Sequence, residues 1–292
     1  MKSSKRFVRA FFVSAIVGLI VLPVALIAAE QEPIAKSVFA IKYADDSHPM
    51  PMYAAFWMGP RFFPNEPDPR PSMYYYLIKT EKENILVDVG AGPEMAAQKK
   101  LSNYFPPEVM LNKFGLKTSD IQTIIITHGH WDHIDALDQY KNAKIYIQRS
   151  CYRFMVEEGP ELAFFRKTGY PNKKHSFAML TAMWDNQIRL IDGDAELFPG
   201  IKVIKVDGHH PGQQIVVVET KDKPIVLASD AVYYYSNLEK DHPIGMYTGS
   251  LRDVIKGLET IRQLNGVVVP GHEPKVMERF KSIDKEVVQI FP

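Results

Sequence analysis

Cysteine is almost absent: Cys151 is the only one among 292 residues, so no intramolecular disulfide can form and the fold must rest on its core. A lone thiol in such a chain is expected to be buried. No cluster of Lys and Arg with interleaved aromatics occurs, which argues against RNA or DNA as the main partner. Internal repeats and low-complexity segments are also missing, so neither a solenoid nor a disordered chain is indicated. What remains is 46% hydrophobic and 24% charged, a balance that suits one sizeable globular domain with a full core.

The first 29 residues stand apart. Lys2, Lys5, Arg6 and Arg9 precede an uncharged apolar segment from Ala10 to Ala29, the pattern of an export signal. Ala28 and Ala29 offer a cleavage point, although Leu26 and Ile27 fit the small-x-small rule poorly. The segment is also long enough for an uncleaved membrane anchor. Residues 1–29 are therefore expected to be a signal peptide or N-terminal anchor of an exported protein, periplasmic, secreted or membrane-held, with residues 30–292 forming the working domain. Without those four basic residues the formal charge moves from +1 to −3, so the body of the protein is not basic.

Along that body, Val38 to Tyr43 alternates as a strand. Seven prolines between 49 and 71 predict a non-helical, apolar loop carrying Met50, Met52, Tyr53, Phe56, Trp57, Phe62 and Phe63. Tyr74–Lys79 and Asn84–Asp88 predict a hairpin. Further strands are predicted at Ile121–Thr127, Lys144–Gln148, Ile188–Ile191, Ile201–Val206, Gln214–Glu219, Ile225–Ala228 and Gly266–Val269. Residues 149–187 read as helices and loops rich in aromatics. Leu251, Val254, Ile255, Leu258, Ile261 and Leu264 recur at helical spacing behind Ser250, an N-cap with Asp253 three residues on. Strand groups separated by helices predict a layered α/β domain.

Residues 127–133 read T-H-G-H-W-D-H, three histidines and an aspartate directly after an apolar run. Imidazole and carboxylate are the nitrogen and oxygen donors that zinc prefers, and a strand ending in a tight loop points alternate residues at one centre. His128 and His130 should share a face, while Asp132 and His133 turn toward a second position. Three more strands end at a ligand-type residue beside a small one: Gly208-His209-His210, Ser229-Asp230-Ala231 and Gly271-His272-Glu273. An isolated histidine is more often a surface or core residue; all three segments in order after the first cluster make a metal site.

With these residues the chain resembles the metallo-β-lactamase superfamily, whose H-x-H-x-D-H motif is followed by His, Asp and His at successive strand ends. The resemblance spans residues 38–285 and implies a four-layer αββα sandwich. It implies that His128, His130 and His209 hold one divalent ion, that Asp132, His133 and His272 hold a second, and that Asp230 bridges them, with Zn2+ the expected metal. Asp88, in I-L-V-D-V-G, matches an aspartate that orients a ligand histidine. The fourth motif departs from the family's T-P-G-H-T-P-G-H and reads V-D-G-H-H-P-G-Q, so His210 and Gln213 take the places of a hydroxyl residue and a second histidine.

Asp230-Ala231-Val232-Tyr233 is similar to a segment of the quorum-quenching N-acyl-homoserine lactone lactonases, in which the tyrosine helps hold the substrate carbonyl. Tyr233 matches that place, and Tyr234 and Tyr235 lie beside it. The resemblance implies a metal-dependent hydrolase in which a metal-bridging hydroxide attacks a lactone or carboxylic ester, Tyr233 stabilises the oxyanion, and Asp132 or Asp230 passes a proton to the leaving alkoxide. The aromatics of residues 49–64 and 149–187 suit a small hydrophobic substrate, or else are ordinary core or a homodimer contact. Alternatives on the same ligands are a thioester hydrolase, a phosphodiesterase, a mono-iron persulfide dioxygenase and a non-catalytic metal- or ligand-binding protein.

Overall fold

Strand alternation in the first part of the chain is apolar on both sides, and such strands must be covered on both faces. In β1 (Ala35–Asp45), Val38 and Ala40 face one core while Phe39, Ile41 and Tyr43 face another. β2 (Ser72–Thr80) repeats the split, with Tyr74, Tyr76 and Ile78 on one side and Met73, Tyr75 and Leu77 on the other. This computed structural model describes residues 35–168 and 170–292, so the predicted signal or anchor at 1–29 lies outside the described residues. Among the described residues no helix is long and apolar enough to cross a membrane.

β3 (Asn84–Val87) closes the predicted hairpin with β2, and β4 (Thr123–Ile125), β5 (Lys144–Gln148) and β6 (Ile188–Ile191) then add in parallel. A second sheet follows: β7 (Ala195–Phe198), β8 (Ile201–Lys205), β9 (Gln214–Val218), β10 (Ile225–Ser229) and β11 (Val267–Pro270), ordered β11-β10-β9-β8-β7. The chain returns to the first sheet with β12 (Lys281–Ser282) and β13 (Val287–Phe291), giving the order β12-β13-β1-β2-β3-β4-β5-β6.

One core lies between the sheets, where Tyr74, Tyr76, Val87 and Ile125 meet Val203, Val216, Leu227 and Val269. Helices cover the outer faces. Helix Leu251–Gln263 lays Leu258 and Ile261 on Val217 and Val226, and Ser250 caps it by accepting from the Asp253 amide at 3.2 Å. The result is the αββα four-layer sandwich. Its layers put the C-terminal ends of β3, β4, β10 and β11 at one edge, because β3 and β4 run parallel, as do β10 and β11.

Four points differ from expectation. The proline-rich segment holds two one-turn helices, Met52–Ala55 and Gly59–Phe62. Pro51 caps the first and Pro60 sits in the opening turn of the second, where the missing N–H costs nothing. The strand expected over 121–127 is regular only at Thr123–Ile125, since the residues after it turn to form the site. β7, β12 and β13 were not foreseen; β13 lies beyond residue 285 and pairs with β1. In the capped helix Ile255 is exposed and Gly257 takes the inward position against Val206.

Candidate metal centre

The edge loops are tightly constrained. Asp88, Asp207 and Ser229 are non-glycine residues with positive φ (62°, 43° and 47°), each at or within two residues of a strand end. Left-handed backbone of this kind is strained and persists where surrounding structure fixes it, often at working sites. Gly208 has φ +87°, and a Cβ there would meet the Val254 amide nitrogen at 2.7 Å, so only glycine lets the loop pass the capped helix and deliver His209.

Two groups of donors result: His128, His130, His209 and Asp230, and Asp132, His133, Asp230 and His272, with the ligand atoms of each within 4.8 Å of one another. Asp230 belongs to both and lies between them, with His272 Nε2 nearly equidistant from its two oxygens at 3.3 and 3.4 Å. Its Oδ2 lies 3.6 Å from His128 Nε2 and 3.2 Å from His209 Nε2. Its Oδ1 lies 3.2 Å from His133 Nε2 and 3.3 Å from His272 Nε2. Asp132 Oδ2 completes the second group at 3.4 Å from His133 Nε2 and 3.6 Å from His272 Nε2.

Each ring is aimed by what its other nitrogen touches. His133 Nδ1 is 2.7 Å from Asp88 Oδ2, His128 Nδ1 is 3.1 Å from Thr127 Oγ1, His209 Nδ1 is 2.8 Å from the Met246 carbonyl, and His272 Nδ1 is 3.1 Å from the Ser72 carbonyl. All four therefore turn Nε2 inward, where the neutral ring offers a lone pair. His130 is the exception and presents Nδ1, 2.9 Å from His128 Nε2 and 2.7 Å from His209 Nε2.

The residues fit metal ions. Asp88, Asp132 and Asp230 are buried carboxylates, and every ion pair they make among the described residues is to a histidine, none to Lys or Arg. Buried charge of that density calls for a cation. His133 Nε2 and Asp230 Oδ1 have no hydrogen-bond partner although both are buried. A tetrahedral ion about 2.0–2.1 Å from its donors spaces them by about 3.4 Å, and the shorter separations here, 2.7 to 3.6 Å, lie around that value while all donors of a group stay within 4.8 Å.

Electrostatics separate the two groups. Burial, helped by the neighbouring histidines, pushes His128 and His130 well below the ordinary imidazole range and keeps their lone pairs free. Burial opposes charge on His133 too, but Asp132, Asp230 and Asp88 outweigh it and hold that ring well above its ordinary value. His272 is raised in the same way, by Asp230 and Asp132 against burial. Protons thus sit where an ion would, and metal binding there displaces them.

His210 stays outside both groups. Its Nδ1 contacts the Pro211 carbonyl at 2.7 Å, its Nε2 is buried without a partner, and burial pushes it down to about 3. The Tyr233 ring packs between His209 and His272, at 5.6 and 5.3 Å, and its hydroxyl is 3.1 Å from His209 Nδ1. Tyr234 and Tyr235 are drawn away, Tyr234 into contact with Met50 and Tyr235 under Arg279.

The aromatic segments divide between the two uses expected of them. Met52 and Phe56 are core beside Tyr233 and Tyr234, whereas Tyr170, from the 149–187 insert, lies 4.5 Å from the His130 ring and stays partly exposed. Phe164, Phe177 and Trp184 are exposed, and Cys151 is buried. Sequence reasoning missed Thr127, Ser229, Ser72 and the Met246 carbonyl as supports. Of these only Thr127 carried a signal, as the hydroxyl residue opening the motif.

The metallo-beta-lactamase superfamily model matches residues 69–272. An N-acyl homoserine lactonase of Bacillus cereus is 28% identical over 213 residues, covering 68% of this chain and 76% of that one. Among solved structures, an N-acyl homoserine lactone hydrolase with the product N-hexanoyl-L-homoserine at its catalytic metal centre superposes with a TM-score of 0.67 at 18% identity, covering 86% of this chain and 98% of that one. AidC, a dizinc quorum-quenching lactonase, gives 0.63 at 16%, covering 82% and 89%. At such identities the superpositions establish the shared fold.

Proposed function

The chain belongs to the metallo-beta-lactamase superfamily, and from that premise we propose that it is a dinuclear metal-dependent hydrolase of lactones, with N-acyl-homoserine-lactone-like or other hydrophobic lactones as substrates. The observation that carries this reading is the position of Asp230, whose carboxylate lies between the two histidine groups and within 3.2–3.6 Å of nitrogens of both, the arrangement a bridging carboxylate needs. The lactonases among its relatives supply the substrate class.

Two divalent ions, with zinc matching the donor set, would be held by His128, His130 and His209 and by Asp132, His133 and His272. Bound there, such ions acidify water toward neutrality and polarise a carbonyl oxygen. Tyr233 contributes a hydrogen bond. Burial holds its phenol well above the ordinary range, so the hydroxyl stays protonated. With His209 Nδ1 donating to Met246, that nitrogen has no lone pair for the Tyr233 proton, which is left for the substrate oxygen as charge develops on it. Asp132 or Asp230 would take up the proton that the attacking water gives up and pass it to the leaving alkoxide.

Tyr170, partly exposed against the partly exposed His130 ring, would contact the acyl or ring portion of the substrate. Residues 1–29 would export the protein, a point that N-terminal sequencing of the mature chain decides.

Metal analysis combined with a hydrolysis panel of lactones, thioesters and phosphodiesters tests the proposal. About two ions per chain and fastest turnover of a lactone are expected. One iron in the active protein, or preference for a thioester or phosphodiester, would reject it.

A further inference from the structure

Asp88 holds His133 directly, but its carboxylate has a second set of contacts that leads to the other donor group. Its Oδ1 accepts from the Thr127 amide at 2.8 Å and its Oδ2 from the Thr127 hydroxyl at 2.8 Å. The same hydroxyl oxygen lies 3.1 Å from His128 Nδ1 and 2.8 Å from Ser229 Oγ. All of these side chains are buried.

The protons in this network have one consistent placement. A carboxylate only accepts, so the single Thr127 hydroxyl hydrogen goes to Asp88, and the Thr127 oxygen is left to accept. It accepts from the Ser229 hydroxyl on one side and from His128 Nδ1–H on the other. His128 must then carry its hydrogen on Nδ1 and present Nε2 as a lone pair, toward His130 Nδ1 at 2.9 Å and Asp230 Oδ2 at 3.6 Å.

We propose that Thr127 is a positioning residue through which one carboxylate, Asp88, sets the tautomer of an imidazole in each donor group: His133 by direct contact and His128 through the Thr127 hydroxyl. Ser229 gives the arrangement its reach across the molecule. Thr127 follows β4 of the first sheet and Ser229 ends β10 of the second, so their hydroxyl contact ties together the strand ends that deliver His128 and Asp230. The left-handed backbone of Ser229, φ 47°, turns the chain into Asp230, and its hydroxyl hydrogen bond helps hold that turn.

The test uses the full chain loaded with zinc and measures metal affinity by competition with a chromophoric chelator, with folding followed by circular dichroism. Thr127→Val keeps the shape and removes the hydroxyl; it is expected to weaken metal binding by about 10- to 100-fold, the usual effect of losing such an outer support. Thr127→Ser is expected to restore it. Wild-type affinity in a folded Thr127→Val, or a Thr127→Ser as weak as the valine variant, overturns the proposal. Should the valine variant fail to fold, nitrogen-15 NMR of the wild-type zinc protein decides. His128 should show a metal-bound Nε2 and a slowly exchanging Nδ1–H; coordination through Nδ1, or rapid exchange of that hydrogen, overturns the assignment. Neither measurement uses turnover, so a chain that bound zinc in this way yet opened no lactone would defeat the functional proposal and leave this one standing.

Discussion

His209 and His210 are adjacent in sequence and alike in chemistry, yet their surroundings differ completely. His209 Nε2 meets His130 and Asp230, whereas His210 Nε2 is buried with no hydrogen-bond partner. His209→Ala should therefore lose bound metal and His210→Ala should retain it, as measured by metal content after dialysis; the opposite result would shift the motif by one residue. Asp230→Asn removes the charge shared by both groups and should lower turnover by orders of magnitude with near-normal circular dichroism. Tyr233→Phe removes a hydroxyl and leaves the metal donors intact. Its kcat on a lactone should fall by roughly 10- to 1,000-fold with metal content unchanged, and unaltered kinetics would remove Tyr233 from the mechanism.

At the scale of elements, the site depends on loops pinned from outside it. Gly208→Ala would force a Cβ into the backbone of the capped helix and strain a left-handed turn. A loss of about 1–3 kcal/mol in urea unfolding is expected, together with weaker metal binding because His209 is displaced. Asp45 illustrates a more distant support. It accepts from Ser72 Oγ at 2.7 Å, and the Ser72 carbonyl accepts from His272 Nδ1. Burial opposes ionisation of Asp45, but hydrogen bonds from Ser72, Asn103 and Lys42 outweigh it and lower the carboxyl below its ordinary value. Its stabilisation is thus complete above the unfolded carboxyl value of about 3.9 and is lost as pH falls through the lower folded value. Asp45→Ala should destabilise by about 1–2 kcal/mol at neutral pH, and the difference from wild type should shrink in urea titrations carried toward pH 3.

For the whole molecule, the three buried carboxylates of the site, which have no Lys or Arg partner among the described residues, predict that stability depends on bound metal. Chelation should lower the midpoint of thermal unfolding, and free zinc at a hundredfold excess over its dissociation constant should restore about 2.7 kcal/mol. A midpoint indifferent to chelator would mean that the histidine groups bind no ion tightly. The sandwich accounts for this linkage, because the donors come from both sheets: β4 and the loop after it on one side, β8, β10 and β11 on the other.

The sequence by itself determined the layers and the candidate donors. Period-two alternation marked most strands, and Ser250 with Asp253 marked the capped helix. Ligand-type residues at successive strand ends marked the centre, because a strand end is where a side chain can leave the sheet without breaking its pairing. The short β7 and β12 had too few residues to show a period, and β13 is visible as a strand only through its pairing with β1. Which nitrogen each histidine presents was decided only by the tertiary structure. That choice rests on a carbonyl at Ser72 or Met246 and on hydroxyls at Thr127 and Ser229, and the last two are 102 residues apart. A backbone carbonyl has no sequence signature, and a serine becomes a support only when two sheets bring it against its partner.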